Sequence, residues 1–449
     1  MSDAGSIRVD ALSHATRGWP SAAPSAQPTT STPDREWDPV LICIAAYVLT
    51  AVGRVHDLFP TLSVVRPAIV TGLLSIILFA LDDRPIRRWT WIASNTTYWL
   101  MALFAWSVLS IPGAVVPGHS FDFVLNGFIK TVIMVPVVAG VIRGRRDVER
   151  IAGVVFWAAA LYATVVLVRF DVGEGSNWRL GHLYYYDAND FATFAVAAMP
   201  IGVYLAYRSR SWFLRFMTVG GLVAISAAFA RSGSRGGFLA LLATGLFLMF
   251  SFRGISIAKR VAALAVVGGV LLVAATDRYW TQMGTILSDT DYNQTEETGR
   301  LQIWQRGVVY VAQHPVLGVG ADNFQAAEGL LSPMATRQQY GVGVKWSAPH
   351  NSFLQVCAEL GIPGLVFFLG MLASAFRSLK RPPRTLRDRA GRPPVPLALK
   401  TALSASLFGF IVGSFFLSLA YTELLYTLIA LSIGVGKIER RFRRSLVVT

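Results

Sequence analysis

The sequence predicts an all-α polytopic membrane protein with about twelve transmembrane helices. Of its 449 residues, 53% are hydrophobic and only 15% are charged, and the mean hydropathy is +0.49. Soluble domains carry about 25% charged residues. The apolar residues come in blocks of roughly 18 to 22, the length that spans hydrocarbon as a helix, whereas a barrel would show weak alternation. The composition therefore argues against a soluble protein, and the blocks favour a bundle of helices.

Each predicted span corresponds to one apolar block. The spans are 39–55, 63–82, 97–116, 122–142, 150–169, 190–207, 212–230, 236–252, 257–275, 351–376, 400–418 and 421–436. Residues 1–38 are rich in Ser, Ala, Pro and Thr, which predicts a disordered tail rather than a cleavable signal peptide. The chain then divides into nine spans (39–275), a large loop (276–350), three spans (351–436) and a basic tail (437–449).

The basic residues predict which side of the membrane each segment faces. With the N-terminus in the cytoplasm, 29 of the 41 Lys and Arg residues lie in the tails and inner segments. The opposite orientation would export nearly all of these, against the positive-inside rule. Both termini are therefore expected in the cytoplasm. The net charge of +15 is then a feature of topology and of contact with anionic membrane lipid, and nucleic acid is not an expected partner.

Cys43 and Cys357 each lie in an apolar block, which indicates neither a disulfide framework nor a metal site.

Charged residues on the outer side are the exceptions to this pattern. The short turn "ARSGSRGG" carries Arg231 and Arg235 outside, and segment 170–189 also faces outward. The outer loop 276–350 is unusually long for a connection between spans, and such loops tend to be functional. His350 lies at its end, where the chain enters the bilayer again.

The outer loop is predicted to contain an amphipathic helix. In "TGRLQIWQRGVVYVAQHP", Leu301, Trp304, Val308 and Val311 recur at intervals of 3, 4 and 3, which places them on one helical face suited to the membrane interface. Arg300 begins this helix, and a helix N-terminus favours anions.

A second short motif, "VLGVGADNFQ", follows this helix. It turns on Gly318 and Gly320. Asp322 and Gln325 then resemble a capping box for another helix. The two glycines do not form a dinucleotide-binding fingerprint, because no strand precedes them and the third glycine is missing.

Each charged residue also has a purely structural interpretation. Outer arginines can reach the lipid headgroups or pair with loop acids, and Arg300 alone would be a solvated loop charge. His350 alone would be a polar helix cap, a role that Asn351 or Ser352 beside it can also fill.

The polar residues before the sixth span have a similar structural interpretation. In "YYYDANDFA", Asp187, Asn189 and Asp190 are typical N-terminal caps for the span that follows.

Two further features do not predict a site. Asp289 and Asp291 in "DTD" could bind a divalent ion, but such pairs are common, and no metal site is predicted. Lys130 lies a turn or two inside a span, where such residues usually face the bundle interior or a cavity, and its role stays open.

Arginines and one histidine without a metal cluster suit a narrow chemistry. Arginine binds phosphate or pyrophosphate through bidentate, charge-assisted hydrogen bonds. Pyrophosphate is a good leaving group that needs its charge neutralised, whereas an attacking sugar hydroxyl needs a base, for which histidine is the usual choice. One base and two or three cations therefore suffice for glycosyl transfer from a lipid pyrophosphate.

The order of the motifs resembles the O-antigen ligase and polymerase superfamily of bacterial inner membranes. The similarity rests on "SGSRGG", "TGRLQIW", "HPVLGVGADNF" and "HNSFLQVCAELGIPG", with "YDANDFA" as a further similar segment. The resemblance implies a metal-independent, inverting glycosyltransferase of the GT-C type, without a cofactor, acting at the periplasmic face. The ligases move O-antigen from undecaprenyl pyrophosphate to the lipid A–core oligosaccharide.

The resemblance also implies roles for individual residues. Arg235 and Arg300 would bind pyrophosphate, with Arg231 as a less firmly matched third cation, and His350 would be the catalytic base. Asn351 and Glu359 would be structural. Asn189, Asn351 and Trp304 are the supporting candidates. Because Glu359 lies nine residues after His350, about 13.5 Å along a continuous helix, the two are not expected to be partners.

Three alternatives remain at this point. A polymerase uses the same donor and differs in its acceptor, which the motifs do not encode. Protein O-oligosaccharyltransferases share similar motifs but typically carry extra outer sequence after the last spans. A transporter of lipid-linked sugars would show paired half-repeats and broken midplane helices, and the sequence shows no such repeat.

Overall fold

The computed structural model describes residues 36–87, 89–169, 180, 186–251, 255–288, 299–333, 335, 348–380, 386 and 393–448. Within these residues the regular structure is helical, without a strand. In chain order, the helices used below are α1 (Pro39–Tyr47), α2 (Pro67–Ala80), α3 (Asn95–Ser110), α4 (Pro117–Val141), α5 (Arg145–Arg169), α6 (Ala188–Arg208), α7 (Trp212–Ser232), α8 (Arg235–Ser251), α9 (Ile257–Ala274), α10 (Asp277–Gly284), α11 (Arg300–Gln313), α12 (Phe324–Leu330), α13 (Ser352–Leu379), α14 (Leu397–Ser414) and α15 (Glu423–Val448).

A helix is present at each of the twelve predicted spans. Seven helices among the described residues are long and apolar enough to cross a membrane, namely α4, α5, α6, α7, α9, α13 and α14. Shorter apolar helices cover Pro39–Val52, Pro67–Ala80 and Arg235–Ser251. The predicted fold class, an all-α polytopic membrane protein, is confirmed. The assignment of each helix to a full crossing stays a prediction.

The bundle is built around α6, which is buried along most of its length. It packs against α14, α7, α5 and α8. Helix α13 packs on α3, and α15 packs on α4. Helix α9 lies at the periphery, against α7 and α8, and buries only Val267 and Leu271.

One end of the bundle brings together segments that the sequence assigns to the inner side. Asp38 caps α1 by accepting a hydrogen bond from the Leu41 backbone N–H at 2.9 Å, and its carboxylate lies 3.0 Å from Arg143 Nη1. The Arg143 Nε lies 2.8 Å from the carboxylate of buried Asp147. Burial raises the pKa of Asp38, but the Leu41 N–H and the Arg87 and Arg143 guanidinium groups outweigh this effect and lower it. Carboxylates thus pair with Arg87 and Arg143 around Asp38.

The opposite end brings together segments that the sequence assigns to the outer side. The Tyr186 hydroxyl donates to the Val52 carbonyl at 2.5 Å, and Arg169 Nη1 donates to the Leu58 carbonyl at 3.1 Å. Segments assigned to one side therefore meet at one end of the bundle. The orientation of that bundle in the membrane stays a prediction.

Lys130 does not face the bundle interior. It is exposed on α4, one helical turn beyond Asn126, whose side chain donates to the Asp122 carboxylate at 2.7 Å. The three polar residues recur every four positions and so form one exposed stripe. The expectation that a charged residue within a span faces the interior does not hold here.

Candidate active site

A linker between α14 and α15, residues 415–422, connects the predicted site segments. The His350 backbone N–H donates to Ser418 Oγ at 3.0 Å. Two residues later, the Ser352 hydroxyl donates to the Leu417 carbonyl at 2.7 Å and accepts from the Leu419 N–H at 2.8 Å. These bonds fix the entry of α13, and therefore the backbone of His350, against the 415–422 linker.

The turn that carries Arg235 packs on the same linker. A Cβ at Gly236 would lie only 2.7 Å from the Cβ of Phe416, so the first turn of α8 touches the 415–422 linker directly. Arg235 is the first residue of α8, and its Nη1 donates to the Thr285 hydroxyl at 2.8 Å. The Thr285 hydroxyl is thus one of the groups that hold the Arg235 guanidinium in position.

Helix α11 brings Arg300 and Trp304 to His350. The Trp304 indole N–H donates to the Pro349 carbonyl at 2.7 Å, and its ring centroid lies 5.9 Å from that of Phe415 in the linker. Arg300 is the first residue of α11 and lies within electrostatic reach of the His350 ring. The structure thus brings Arg235, Arg300 and His350 to one end of the bundle.

The surroundings of His350 favour its neutral form. Burial and, to a lesser extent, the nearby Arg300 guanidinium lower the pKa of its imidazole to about 4, although Asp187 acts in the opposite direction. A group with a pKa of about 4 is unprotonated near pH 7, so His350 is available to accept a proton. Its backbone has a φ of 45°, a left-handed conformation that is costly for most residues and that clusters at functional sites.

Asn351, and not His350, caps the helix that follows. The Asn351 side-chain oxygen accepts hydrogen bonds from the Phe353 and Leu354 backbone N–H groups, at 3.0 and 3.1 Å. These bonds satisfy the first turn of α13, as an N-cap does. The imidazole of His350 is therefore not needed as a cap, which leaves it free for another role.

The "YDANDFA" segment contributes one cap and one charge near the site. Asp187 caps α6 by accepting from the Asn189 and Asp190 backbone N–H groups, both at 2.7 Å. The negative charge of the Asp187 carboxylate also favours the protonated imidazole of His350 and so raises its pKa. Asn189 lies in the first turn of α6, next to this cap.

Arg231 is placed differently from the other two arginines. It lies in the last turn of α7, where its Nη1 donates to the Leu167 carbonyl of α5 at 3.4 Å and its own carbonyl accepts from the Leu180 N–H at 3.1 Å. These contacts tie the end of α7 to α5.

The glycine-containing motif after α11 docks on a kink in α13. The Val319 N–H donates to the Ala358 carbonyl at 2.8 Å, and the Gly320 N–H donates to the Glu359 carbonyl at 2.9 Å. In the other direction, the Ile362 N–H donates to the carbonyl of Pro315, the residue just before the motif, at 2.8 Å. The outer loop is therefore attached to the same helix that His350 precedes.

Two glycines permit this close approach. Gly361 breaks the helical geometry of α13 with a φ of 69°, and a Cβ there would lie 2.2 Å from the Val316 carbonyl oxygen. Gly318 has a φ of 68°, and a Cβ there would lie 2.3 Å from the backbone of Glu359. A side chain at either position would clash with backbone as well as strain the conformation.

Glu359 is held by residues other than His350. Its carboxylate accepts from the Tyr421 hydroxyl at 2.8 Å and from the Gln355 side-chain N–H at 3.5 Å. Because Tyr421 belongs to the 415–422 linker, Glu359 fastens that linker to α13. These contacts agree with the structural role expected for it.

The capping box expected at Asp322 and Gln325 is wrong. Helix α12 begins after Asn323, without a side-chain hydrogen bond to the helix. Asp322 has a φ of 57°, and its carboxylate lies 3.0 Å from His119 Nε2 in the first turn of α4. The left-handed backbone gives this carboxylate a partner across the loop instead of at the end of the helix. Burial raises the pKa of Asp322, although His119 opposes this effect.

Helix α11 is present as predicted. The face that it buries is not the predicted apolar face but the one next to it on the helix. Ile303, Gly307 and Tyr310 are buried, whereas Leu301 and Val308 are exposed. An exposed apolar face on a helix outside the main bundle is suited to the membrane interface.

An ion pair that the sequence did not indicate attaches α11 to α12. The Arg306 guanidinium donates from Nε to both carboxylate oxygens of Glu328, at 2.9 and 3.0 Å, and Arg306 Nη2 lies 2.8 Å from the same group. The Tyr310 hydroxyl donates to Glu328 at 2.7 Å. This pairing holds α11, and with it Arg300, on the outer loop.

Sequence reasoning missed the 415–422 linker. The only signal available was a set of polar residues, Ser414, Ser418 and Thr422, at every fourth position between two apolar blocks. In the described part of the chain, no group of three or more His, Cys, Asp or Glu residues is arranged to hold a metal ion. Asp289 and Asp291 lie outside the described residues.

Together these observations define the class of the protein. It is a polytopic helical membrane protein in which an uncharged histidine and two arginines meet at one end of the bundle.

Residues 220–369 match the model of a protein family described as O-antigen ligase. The predicted resemblance to this family is confirmed over that segment, which contains Arg231, Arg235, Arg300 and His350. The match supports an O-antigen ligase or polymerase type of function in the broad sense, that of a glycosyltransferase-like enzyme. None of the curated proteins compared with the chain matches it.

Proposed function

We propose that this protein is an O-antigen ligase of the bacterial inner membrane. It transfers O-antigen polysaccharide from undecaprenyl pyrophosphate to the lipid A–core oligosaccharide at the periplasmic face, by an inverting mechanism that needs no metal ion. The observation that carries the proposal is the neutral His350 beside Arg300, on a linker that also contacts the turn bearing Arg235.

The two arginines suit the pyrophosphate of the donor. Arg235 begins α8 and Arg300 begins α11, so each guanidinium lies at a helix N-terminus, where backbone dipoles also favour anions. Arginine makes bidentate, charge-assisted hydrogen bonds to phosphate oxygens. The pair would neutralise the charge that develops on the leaving group as the glycosidic bond breaks. Arg231, tied to α5, is proposed as a more distant member of this positive region.

His350 is proposed as the general base. The acceptor hydroxyl of the core sugar attacks the anomeric carbon from the face opposite the pyrophosphate, and His350 takes the hydroxyl proton. A new glycosidic bond forms, the bond to the pyrophosphate oxygen breaks, and undecaprenyl pyrophosphate leaves with the bonding electrons. The configuration at the anomeric carbon is inverted. Asn351 and Trp304 act in support by fixing the backbone on either side of the base, and Asn189, beside the Asp187 cap, is proposed as a further supporting residue.

The same geometry couples donor binding to the strength of the base. In the free protein, burial and the Arg300 guanidinium hold the pKa of His350 at about 4, which makes it a weak base. A pyrophosphate bound at Arg300 would offset that positive charge and raise the pKa of His350. His350 would then become a stronger base only when the donor is in place.

The decisive experiment supplies purified protein with a polyprenyl-pyrophosphate glycan, with and without lipid A–core and with a chelator present. A ligase moves the glycan to lipid A–core and leaves its length unchanged. Lengthening of the lipid-linked glycan without lipid A–core would instead show a polymerase, which uses the same donor and a different acceptor. Loss of transfer in chelator would show that the metal-free mechanism is wrong.

A further inference from the structure

A cavity lies at the other end of the bundle from His350. It has a volume of about 310 Å³ and lies between the end of α6 and the beginnings of α7 and α9. The sequence assigns these helix ends, in segments 207–215 and 252–260, to the inner side of the membrane. The cavity is therefore separate from the proposed active site.

The cavity combines apolar walls with two cations. Val203, Leu222 and Ala263 are among its apolar lining residues, and Arg215 and Lys259 are its charged ones. Among the residues that the structure describes, its lining contains no Asp or Glu. Among the described residues, no carboxylate forms an ion pair with either cation, in contrast to the arginines around Asp38 at the same end.

Both cations are held in place by neutral groups. Arg215 Nη2 donates to the Ser209 carbonyl at 2.8 Å, and the Lys259 ammonium lies 4.9 Å from the ring centroid of Tyr207. A carbonyl and an aromatic ring orient a cation without cancelling its charge. The cavity therefore presents fixed positive charge at the end of an apolar crevice.

The surroundings indicate that the cavity opens toward lipid. Trp212, Phe213 and Phe216 are exposed at the start of α7, as expected of aromatic residues at the level of the headgroups. Helix α9, which forms one wall, is buried at only two positions. A ligand entering from the bilayer would meet the apolar walls with its chain and the cations with its headgroup.

We propose that this cavity binds an anionic phospholipid, with its phosphate at Arg215 and Lys259 and an acyl chain against α6, α7 and α9. A zwitterionic lipid is a poorer ligand, because its ammonium group would bring a third positive charge to two unneutralised cations. Each basic residue near a membrane surface changes the affinity for anionic lipid by about fivefold. The pair accounts for roughly a 25-fold preference.

The test measures lipid retained by the full-length chain after delipidation in detergent, by native mass spectrometry with phosphatidylglycerol, phosphatidylcholine or inorganic phosphate added. The wild type should retain phosphatidylglycerol roughly 25-fold more tightly than phosphatidylcholine. The double variant R215Q/K259Q should lose this preference, whereas R443Q, an exposed cation on α15, should keep it. Phosphatidylglycerol should also raise the thermal unfolding midpoint of the wild type but not of the double variant.

A second variant protects the test against misfolding of the first. Ala263→Phe fills the cavity and leaves both cations in place, so it should also abolish selective retention. Equal retention of both lipids by the wild type would overturn the proposal. So would full retention by the double variant, or displacement of phosphatidylglycerol by inorganic phosphate at equal concentration, which would indicate a site for free phosphate.

Discussion

Two groups of arginines, one around Asp38 and one around His350, lie at opposite ends of the bundle and differ in the side chains that surround them. Around Asp38, carboxylates pair with the guanidinium groups, as Asp147 pairs with Arg143 at 2.8 Å. Around His350, the Thr285 hydroxyl accepts a hydrogen bond from Arg235, and the positive charge of Arg300 lowers the pKa of the His350 imidazole. We infer that the arginines paired around Asp38 hold helices together, whereas Arg235 and Arg300 serve the proposed donor site. The predictions below test this difference, beginning with the largest expected effect.

Replacing the proposed base should abolish turnover without preventing donor binding. Asn tolerates the left-handed backbone of residue 350 but does not accept a proton at neutral pH. His350→Asn should therefore lower kcat by roughly 10² to 10⁴, the usual contribution of a general base. Steady-state transfer and binding of a labelled donor measure the two effects separately. An H350N variant with near wild-type kcat would contradict the role of His350.

Breaking the paired end should change stability and not catalysis. Asp147→Asn removes one of the two carboxylates that pair with buried Arg143 and leaves Asp38 as its counter-charge. Removing the sole partner of a buried charge typically costs about 3–5 kcal/mol, and the loss here should approach the lower end of that range because Asp38 remains. Thermal unfolding in detergent should show this loss, while transfer per folded molecule stays close to wild type. A D147N variant of normal stability but impaired transfer would reverse the assignment of the two ends.

Removing one cation near His350 should lower catalysis and leave stability nearly unchanged. Arg235→Gln keeps a hydrogen-bond donor near Thr285 and removes the charge. A charge-assisted hydrogen bond contributes about 1.5–3 kcal/mol, so kcat/KM should fall roughly 10- to 100-fold. The midpoint of thermal unfolding should stay within a few degrees of wild type. An equal loss in stability and activity would show that Arg235 is structural.

Breaking the hydrogen bond between α11 and the residue before His350 should have the smallest kinetic effect. Trp304→Phe keeps an aromatic ring beside Phe415 and removes the hydrogen bond to the Pro349 carbonyl. One neutral hydrogen bond is worth about 1 kcal/mol, so kcat should fall by less than tenfold. Steady-state kinetics on W304F measure this. A loss as large as that of H350N would indicate that Trp304 contacts substrate.

The pH dependence tests the electrostatic coupling of Arg300 to His350. The base must be unprotonated, so kcat/KM should rise with pH through the pKa of His350, which is about 4, and then stay level. Arg300 lowers this pKa, so Arg300→Gln should raise it and move the acidic limb of the profile to higher pH. An unchanged limb in R300Q would show that Arg300 does not act on the base.

The sequence predicted the helices, and it singled out Arg235, Arg300 and His350, which the structure brings to one end of the bundle, because those signals are local. Apolar blocks specify helices through length and hydropathy, and the charge rule singled out Arg235 as misplaced. The 415–422 linker escaped prediction because its contacts are distant in the chain, as between Ser418 and His350, which are 68 residues apart. Asp322 was misassigned because its left-handed backbone depends on a partner, His119, that lies 203 residues away.

The most direct test of the central claim is chemical rescue at position 350. Glycine tolerates the left-handed backbone there and leaves room for a small base, so His350→Gly should be nearly inactive and should regain transfer as imidazole is added. Recovery should follow the unprotonated fraction of imidazole and should be absent in R235Q, where the base is intact. Transfer in H350G that equals wild type without imidazole, or that imidazole does not restore although the donor still binds, would contradict the assignment of His350 as the base.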